Sequence, residues 1–494
     1  MNRDLSSAST DPALARPTRV RFGVLAFVAS LAMITYLDRV CFGTAGPHIV
    51  KALGLQSVAD LKWAFAAFAL AYAAFEIPTG WLGDVFGPRT TLIRIVLWWS
   101  FFTALTGFVG MVLPGGLALG LMSLVVIRFL FGMGEAGAFP NITRALHNWF
   151  PFSERGSAQG TIWMAGRLMG GLTPLLWWLL VEGVVRRGEG GGEDSFLVKP
   201  LLDWRQTFWV FGGLGITWCV LFALWFRNHP DDKESVNEAE KQLILAGRGH
   251  EEGGHAGVPW LKLLTSWNLW FLCIMYFCAS YGWYFNITYL PSFLEEQFHV
   301  DPRSMVGAIY KGGPLWMGAM ACLIGGYLTD WVIRRTGNRK WGRRIFGVVG
   351  HGLCAVFYLT CLFAPSAFFF FLSISLAAFW NDMTMGSAWA TCQDIGRRYA
   401  AIVAGCMNTI GNLGGFVAAM ITGWVLKMSA ASYAAAQGLD ATTLSPQQLA
   451  AGNMIGYRIS LISFALVYLI AVAMWLLVDS TRPVAPEADD EKHG

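Results

Sequence analysis

The chain has 494 residues, of which 55% are hydrophobic and only 14% charged, with a mean hydropathy of +0.48 and a formal net charge of +4. Soluble globular proteins carry about 25% charged residues, so this chain lacks the polar surface that a fold in water needs. Apolar runs recur from Phe22 to Val478, which excludes a signal peptide attached to a soluble domain. The composition also excludes a soluble enzyme and a nucleic-acid binder, and it indicates a polytopic membrane protein.

Twelve apolar runs are long enough for membrane-spanning helices, each of which needs about 20 residues. Only helices or closed barrels satisfy their backbone in lipid, and these runs are too long for barrel strands. We therefore predict an all-α membrane protein with twelve spans, numbered here 1 to 12. Their predicted starts lie near Phe22, Leu61, Thr91, Leu117, Gly156, Gln206, Trp267, Ser304, Ile345, Ser366, Tyr399 and Asn453. The first run ends without a small-residue cleavage site, so we expect it to stay uncleaved.

The longest polar interruption, 227–262, divides the spans into six plus six. The predicted domains are an N-terminal tail (1–21), a first six-span bundle (22–226), a linker (227–266), a second six-span bundle (267–479) and a C-terminal tail (480–494). A second insert, 183–203, contains a Gly-rich stretch and predicts a flexible external loop.

Positive charge is concentrated on one side of the predicted spans. The loop 334–344 holds six Lys and Arg residues, and the segment 227–262 holds five. Because such residues mark cytoplasmic loops, the asymmetry predicts an inner or plasma membrane protein with both termini in the cytoplasm. The nine cysteines include no C-x-x-C pair, so neither a metal cage nor a disulfide framework is expected.

The two halves of the chain are related in sequence. The string Ile-Thr-Tyr-Leu begins at Ile34 and again at Ile287, an offset of 253. Gly80-x-x-x-Asp84 recurs as Gly326-x-x-x-Asp330, an offset of 246, and a Gly-Gly pair at 170 recurs at 414, an offset of 244. Spans six apart run in the same direction, so this is a parallel repeat. Such a repeat places a binding site between the halves, near the bilayer midplane.

The loops after spans 2 and 8 carry matching motifs. In each, a glycine allows close approach of a neighbouring helix, and a carboxylate four residues later can pair with an arginine or face a helix N-terminus. This arrangement resembles the loop signature of the major facilitator superfamily, on both halves. The resemblance implies a gating role for Gly80, Asp84, Arg89, Gly326 and Asp330.

Four charged residues lie inside the apolar runs of the first half. Asp38 and Arg39 are adjacent in span 1, while Arg128 and Glu135 lie seven residues apart in span 4, on one face of the helix. Charges at this depth are costly and normally face a cavity or a partner. In a low dielectric a buried arginine needs a carboxylate partner, so these charges are expected to pair with one another.

These residues, with the strings 138–141, 284–291 and 408–415, resemble the anion:cation symporter family of that superfamily over nearly the whole chain. The resemblance implies proton-coupled symport of an organic anion, such as a hexonate, hexuronate or aldarate, by alternating access. It implies proton-coupling roles for Asp38 and Glu135, with Arg128 beside them, and a contact between Arg39 and the substrate carboxylate. Further residues that match the family's site are Tyr72 and Asn408.

Arg167, in the middle of span 5, departs from that family, whose sugar-acid carriers often have an uncharged polar residue there. We expect it to face the central cavity and to bind substrate. The negative charge beside Arg167 comes either permanently from Asp382 or from the substrate during the transport cycle. If Asp382 does not pair with Arg167, it is a second titratable site. Glu76 is either a cavity ligand or a packing partner. Residue type and depth further predict substrate contacts for Tyr36, Ser387 and Trp389.

Two other classes of function use a similar sequence. An exchanger or facilitator for another carboxylate, such as a dicarboxylate or an aromatic acid, would need the arginines but no proton coupling. A drug exporter is disfavoured because span 5 has Arg167 and Gly170-Gly171 instead of a Gly-Pro motif. A membrane enzyme is disfavoured because no nucleophile–base set or metal-ligand cluster is present. The expected partners are a small organic anion, protons and the lipid bilayer, without cofactor, metal or nucleic acid, and a monomer is expected.

Overall fold

The structure is a computed structural model that describes residues 16–55, 58–112, 119–186, 195–246, 258–300, 305–440 and 444–485. These residues are predominantly helical and form twelve successive spans, which confirms the predicted all-α membrane fold. One departure lies in the insert between spans 5 and 6, where Val184–Arg186 and Ser195–Val198 pair as a short antiparallel hairpin.

Six spans make up the first half, and the fourth of them is split into two helices. Spans 1 to 6 are Val20–Thr44, Lys62–Phe86, Pro88–Thr106, Leu121–Glu135 with Ala138–Trp149, Arg155–Trp177 and Trp204–Trp225. Shorter helical segments are Gly46–Leu53, Val58–Leu61, Phe152–Glu154 and Trp178–Glu182. The predicted start of span 4, Leu117, lies outside the described residues.

The second half repeats this arrangement, with its fourth span split in the same way. Spans 7 to 12 are Trp267–Thr288, Met305–Thr336, Arg339–Thr360, Ala367–Asp382 with Met385–Gly396, Ala400–Ala436 and Pro446–Leu477. Shorter helical segments are Pro230–Asp232, Glu238–Leu245, Trp260–Leu264, Leu290–Phe298, Cys361–Phe363 and Arg397–Tyr399. The predicted start of span 8, Ser304, lies outside the described residues.

Nine stretches among the described residues are long and apolar enough to cross a membrane by length and composition alone, and one of them, 367–436, covers both span 10 and span 11. Spans 3 and 7 are not among the nine. Span 3 has only 19 residues and includes Arg89 and Arg94. Span 7 contains three Trp and three Tyr residues, which suit the membrane interface as well as its core. The chain is a multi-pass membrane protein.

Local sequence explains where several spans begin. Span 6 starts with a capping box, in which Asp203 accepts from the backbone N–H of Gln206 and the Gln206 side chain accepts from the N–H of Asp203. Span 12 starts with the same device, formed by Ser445 and Gln448, and has Pro446 at its first position. Both boxes satisfy backbone donors that would otherwise lack partners at the helix end.

The most extensive contacts between the two halves are those of span 5 with span 8 and of span 2 with span 11. Small residues allow the close approach. A Cβ atom at Gly80 of span 2 would lie 2.7 Å from the carbonyl oxygen of Ala401 in span 11, and one at Gly326 of span 8 would meet the backbone of Gly156 in span 5. Glycines of the two loop motifs therefore permit backbone-to-backbone packing between the halves.

Both described ends of the chain lie on one face of the bundle. Thr18 donates to Glu240 in the segment between spans 6 and 7 (2.6 Å), and the N–H of Val484 donates to the carbonyl of Ile395 at the end of span 10 (2.9 Å). We call this side, which carries residues 16–19, the described part of 227–266 and residues 478–485, the terminal face.

Candidate functional site

A cavity of about 310 Å³ lies between the two halves. Aromatic side chains make up eight of the 19 lining residues: Tyr36, Phe68, Tyr72, Phe139, Trp163, Tyr276, Trp283 and Tyr284. The amides of Asn381, Asn408 and Asn412 and two arginines, Arg39 and Arg167, supply polar groups. No carboxylate belongs to the described lining, so the charged groups that face the cavity are both cations. Five predicted substrate contacts line it: Tyr36, Arg39, Tyr72, Arg167 and Asn408.

Arg39 is held from behind by Glu135. Its Nε atom donates to Oε1 of Glu135 at 2.6 Å, and the Glu135 side chain has no solvent exposure while that of Arg39 is 26% exposed. The arginine lies over the ring of Tyr72, with 4.5 Å between Cζ and the ring centroid. Oε2 of Glu135 and Nη2 of Arg39 have no hydrogen-bond partner among the described residues. The pair is therefore a charge-assisted contact with bonding capacity left over.

Asp38 and Arg128 lie deeper in the first half than Arg39. Asp38 is buried, and neither of its carboxylate oxygens has a hydrogen-bond partner among the described residues. Arg128 is buried among aromatic rings, with Cζ 4.1 Å from the centroid of Phe42 and 4.5 Å from that of Phe131. Its Nε atom also has no partner in the described part of the chain. The two residues do not form a direct ion pair.

Arg167 forms a two-point ion pair with Asp382 of span 10. Nε donates to Oδ2 at 2.9 Å and Nη2 donates to Oδ1 at 3.2 Å. In this conformation Asp382 supplies the negative charge, which is the first of the two alternatives drawn from the sequence. Arg167 also lies over the ring of Trp283, 3.9 Å from its centroid. The pair joins the halves, since Arg167 belongs to span 5 and Asp382 to span 10.

Glu76 of span 2 is the third buried carboxylate near the cavity. Asn408 of span 11 donates a side-chain N–H to Oε1, and Thr409 donates its hydroxyl to Oε2 at 3.3 Å. Glu76 thus links the halves through neutral donors, as expected of a packing partner. Asn408 itself lines the cavity. Tyr284 donates to Asn412 on the same side of the cavity (3.2 Å).

Ser387 and Trp389, two further predicted substrate contacts, do not line the cavity in this structure. Ser387 is fully buried, with its hydroxyl 2.9 Å from that of Thr329. Trp389 is also fully buried, donates to the hydroxyl of Tyr276 at 3.2 Å and packs on the ring of Trp163. Both belong to the second helix of span 10, Met385–Gly396, every residue of which is buried. Trp389 therefore supports the cavity wall from behind.

The two loop-motif carboxylates cap helices of the opposite half. Asp84 accepts from the backbone N–H groups of Ala401 (3.2 Å) and Ile402 (2.8 Å), at the first turn of span 11. Asp330 accepts from those of Gly156 (3.0 Å) and Ser157 (2.5 Å), at the first turn of span 5. Negative charge at a helix N-terminus is stabilising because the unpaired N–H groups carry partial positive charge.

Arg89, the remaining residue of the loop motifs, makes its hydrogen bonds within its own half. Its backbone N–H donates to the side chain of Asn228 (3.0 Å), and its guanidinium donates to the carbonyl of Ala223 (2.5 Å). It therefore ties the start of span 3 to the end of span 6 and does not join Asp84.

A buried ion-pair network that was not predicted from the sequence lies at the terminal face. Arg155 of span 5 donates to Asp394 of span 10 at 2.9 Å. Arg343 of span 9 lies between Asp394 (3.2 Å) and Asp330 (3.1 Å). On the other side, the guanidinium of Arg144 lies 3.7 Å from Asp84. The Arg155–Asp394 pair thus joins the two halves on this face, whereas the other three ion pairs lie within one half.

No group of three or more His, Cys, Asp or Glu side chains in the described ranges is arranged to hold a metal ion. The nine cysteines are unpaired, and eight of them are buried.

Known transporters resemble this chain over most of its length. The Major Facilitator Superfamily matches residues 28–419. A probable sulfoacetate transporter of Cupriavidus necator is 32% identical over 410 residues, covering 83% of this chain and 88% of that protein. A probable galactarate/D-glucarate transporter of Bacillus subtilis is 29% identical over 437 residues, covering 85% of this chain and 88% of that protein.

The fold has solved counterparts. The Escherichia coli transporter FucP in its outward conformation superposes with a TM-score of 0.62 at 14% identity, covering 93% of this chain and 100% of that chain. The chain belongs to the Major Facilitator Superfamily. It is a membrane transporter and not an enzyme, and the predicted resemblance to the superfamily's anion transporters is confirmed.

Proposed function

We propose that the protein is a proton-coupled symporter of a small organic anion, with Arg39 as the anchor for an anionic group of the substrate. The observation that carries this proposal is the ion pair between Arg39, in the cavity wall, and the fully buried Glu135 behind it. A cation that faces a cavity while its own counter-ion lies behind the wall can exchange that counter-ion for a substrate.

Coupling follows from the burial of Glu135. As long as Glu135 is ionised, it neutralises Arg39 and competes with the substrate for it. A proton on Glu135 removes that competition, and a bound anion in turn removes the positive charge that favours ionised Glu135. Binding and protonation therefore strengthen each other, and linkage requires the effect to be reciprocal. The low-dielectric surroundings enlarge it, since water does not screen the charges.

Asp38 is the second proton position in this proposal. Asp38 is buried and has no donor among the described residues. A carboxylate in such surroundings is costly when ionised and is accommodated best as a neutral acid. Arg128, which is buried among aromatic rings and interacts electrostatically with Asp38, stabilises the Asp38 carboxylate when the proton leaves. Asp38 and Glu135 then share a single proton, which is loaded from one side of the membrane and unloaded on the other.

The substrate class is supported by the relatives and by the cavity. The names of the relatives mention sulfoacetate and galactarate/D-glucarate, which are short organic acids. The cavity of about 310 Å³ is at the small end of typical ligand sites, which range from roughly 300 to 1,000 Å³. Tyrosine hydroxyls and the amides of Asn381, Asn408 and Asn412 offer hydrogen bonds to the hydroxyls of a sugar acid. We propose a sugar acid or a similar short acid.

Alternating access is the third element of the proposal, with the terminal face on the cytoplasmic side. Asp84 and Asp330, with the Arg155–Asp394 pair, hold that side closed in the present conformation. For the cavity to open there, both carboxylates must leave the helix N-termini of the opposite half. The motif residues would thus act as a latch that stabilises the outward-open state.

The test uses purified protein in proteoliposomes with galactarate and sulfoacetate as substrates. Wild-type protein should accumulate the anion when the outside is acidified, and a protonophore should abolish the accumulation. Glu135→Gln, which mimics the protonated acid, should lose accumulation but retain exchange of labelled for unlabelled anion. Glu182→Gln, a change at a carboxylate 48% exposed at the far end of span 5, is the matched control and should behave like wild type. Accumulation that is independent of the pH gradient would indicate an exchanger or facilitator instead.

A further inference from the structure

The pair formed by Arg167 and Asp382 repeats the construction of the Arg39–Glu135 pair. Glu135 is the last residue of the first helix of span 4, and Asp382 is the last residue of the first helix of span 10. Their separation in the sequence is 247 residues, close to the offset of 246 between the two loop motifs. The second helices of these spans, Ala138–Trp149 and Met385–Gly396, begin and end at the same offset of 247. The internal repeat thus places Asp382 at the position of Glu135.

The contacts of the two pairs correspond as well. Each carboxylate has no solvent exposure, and each accepts from Nε of an arginine that lines the cavity, at 2.6 Å for Arg39 and 2.9 Å for Arg167. In both arginines Nη1 makes no hydrogen bond to a described residue, and both residues line the cavity. Each guanidinium therefore binds its carboxylate with one edge and keeps a donor for a ligand on the other.

One difference is that the second pair crosses between the halves. Asp382 is further held by Asn381, which donates to Oδ1 at 2.9 Å, and Asn381 in turn accepts from the hydroxyl of Tyr468 at 3.0 Å. Arg167 is fixed by the rings of Trp283 and Trp163. Asp382 is thus supported by its own half, and Arg167 is supported by Trp163 of its own span and by Trp283 of span 7. Each side chain therefore has contacts besides the ion pair itself.

We propose that Arg167 and Asp382 form a second anion-and-proton site, so that the transporter carries an organic dianion together with two protons. This inference rests on the proposed function and extends it. One anionic group of the substrate replaces Glu135 on Arg39, and the other replaces Asp382 on Arg167. Each displaced carboxylate takes up one proton from the side of entry and returns it on the side of release.

Charge balance supports this stoichiometry. In the empty cavity each arginine is neutralised by one carboxylate. In the loaded cavity each is neutralised by one end of the substrate, while both carboxylates are neutral acids. Neither arginine of the cavity wall is left uncompensated at either stage, which matters because an unpaired buried charge is strongly destabilising. Two protons and a dianion also carry no net charge, so the membrane potential neither drives nor opposes the loaded transporter.

Two matched pairs of acids serve as probes. Galactonate is galactarate with one carboxylate replaced by CH₂OH, and isethionate is sulfoacetate with the same replacement. Each pair therefore differs by one anionic group at nearly constant size. Wild-type protein should bind each dianion at least about tenfold more tightly than its monoanion in calorimetry, since a charge-assisted hydrogen bond is lost in the monoanion.

The variant that tests the second site is the double change Arg167→Gln with Asp382→Asn. The single change Arg167→Gln leaves Asp382 buried without its counter-ion and is expected to fold poorly, whereas the double change removes both charges. It should retain binding of the monoanions and lose the preference for the dianions. The matched control is Lys241→Gln with Asp231→Asn, an ion pair of 3.5 Å on the linker surface, which should leave the preference unchanged.

Stoichiometry is measured in proteoliposomes. Wild-type uptake of galactarate should move two protons per anion and should not respond to an imposed membrane potential. One proton per galactarate, or an unchanged dianion preference in the well-folded double variant, would overturn the second site while the proton-coupled anchor at Arg39 stands. If none of the four acids binds the wild-type protein, or Glu135→Gln still accumulates substrate, the proposed function itself fails, and the second site with it.

Discussion

Replacing Arg39 by lysine tests the anchor while the positive charge is kept. The guanidinium binds Glu135 through Nε at 2.6 Å and has further donors for a substrate, whereas an ammonium group is a point charge that cannot present a flat, two-point edge. Lysine can still pair with Glu135, so the fold should survive. The substitution should weaken substrate binding, because the bound state then lacks at least one charge-assisted hydrogen bond to the substrate.

The magnitude follows from that single contact. A hydrogen bond to a charged group contributes about 1.5–3 kcal/mol, which corresponds to a roughly 10- to 150-fold weaker affinity. The Tyr72 ring, whose centroid lies 4.5 Å from Cζ of Arg39, can attract either an arginine or a lysine. Its contribution should therefore be similar in the wild type and the variant. Calorimetry with galactarate measures the change, with Arg205→Lys at the start of span 6 as the control for an arginine outside the cavity. An affinity within about threefold of wild type would refute the assignment of Arg39 as anchor.

Three further predictions concern the contacts between the halves. Asp330→Asn should speed hydrogen exchange of the backbone amides at the start of span 5 by about tenfold. The reason is that a carboxylate at a helix N-terminus contributes up to roughly 2 kcal/mol. Unchanged exchange would show that the cap does not hold the face closed. Gly80→Ala should lower the unfolding temperature because its Cβ would meet a backbone carbonyl, whereas Gly43→Ala, with nothing within 4 Å of its Cβ, should not; equal temperatures would refute the packing argument. Asn408→Leu should cost about 1–3 kcal/mol of stability by removing a donor from buried Glu76, and the further change Glu76→Leu should recover part of it; no loss in the single variant would show that this contact is dispensable.

Much of the fold was predictable because the bilayer imposes it. The apolar runs located all twelve spans, and starts such as Trp267 agree with the structure. The largest differences are at spans 9 and 12, which begin at Arg339 and Pro446, six and seven residues before the predicted Ile345 and Asn453. Hydrophobicity marks the part of a helix inside the bilayer core, while these helices extend beyond it in polar sequence. The break within spans 4 and 10 has no hydropathy signal either.

The candidate site was predictable in part, for a related reason. A charge inside an apolar run is conspicuous, so Arg39, Glu135 and Arg167 stood out. Residue type and depth do not tell which face of a broken helix meets the cavity. The prediction that Ser387 and Trp389 contact the substrate therefore could not anticipate that both lie behind the cavity wall. The equivalence of Asp382 and Glu135 had a signal in the sequence, since their separation of 247 residues falls within the offsets of the repeat, but only the split helices make it recognisable.

The most direct test of the central claim is to record proton movement during anion transport. Adding galactarate to a weakly buffered suspension of proteoliposomes that contain the wild-type protein should make the medium alkaline as protons enter with the anion. Vesicles with Glu135→Gln should show no such change, and those with the control Glu182→Gln should respond like wild type. Uptake of labelled galactarate without any accompanying alkalinisation in the wild-type vesicles would contradict the account.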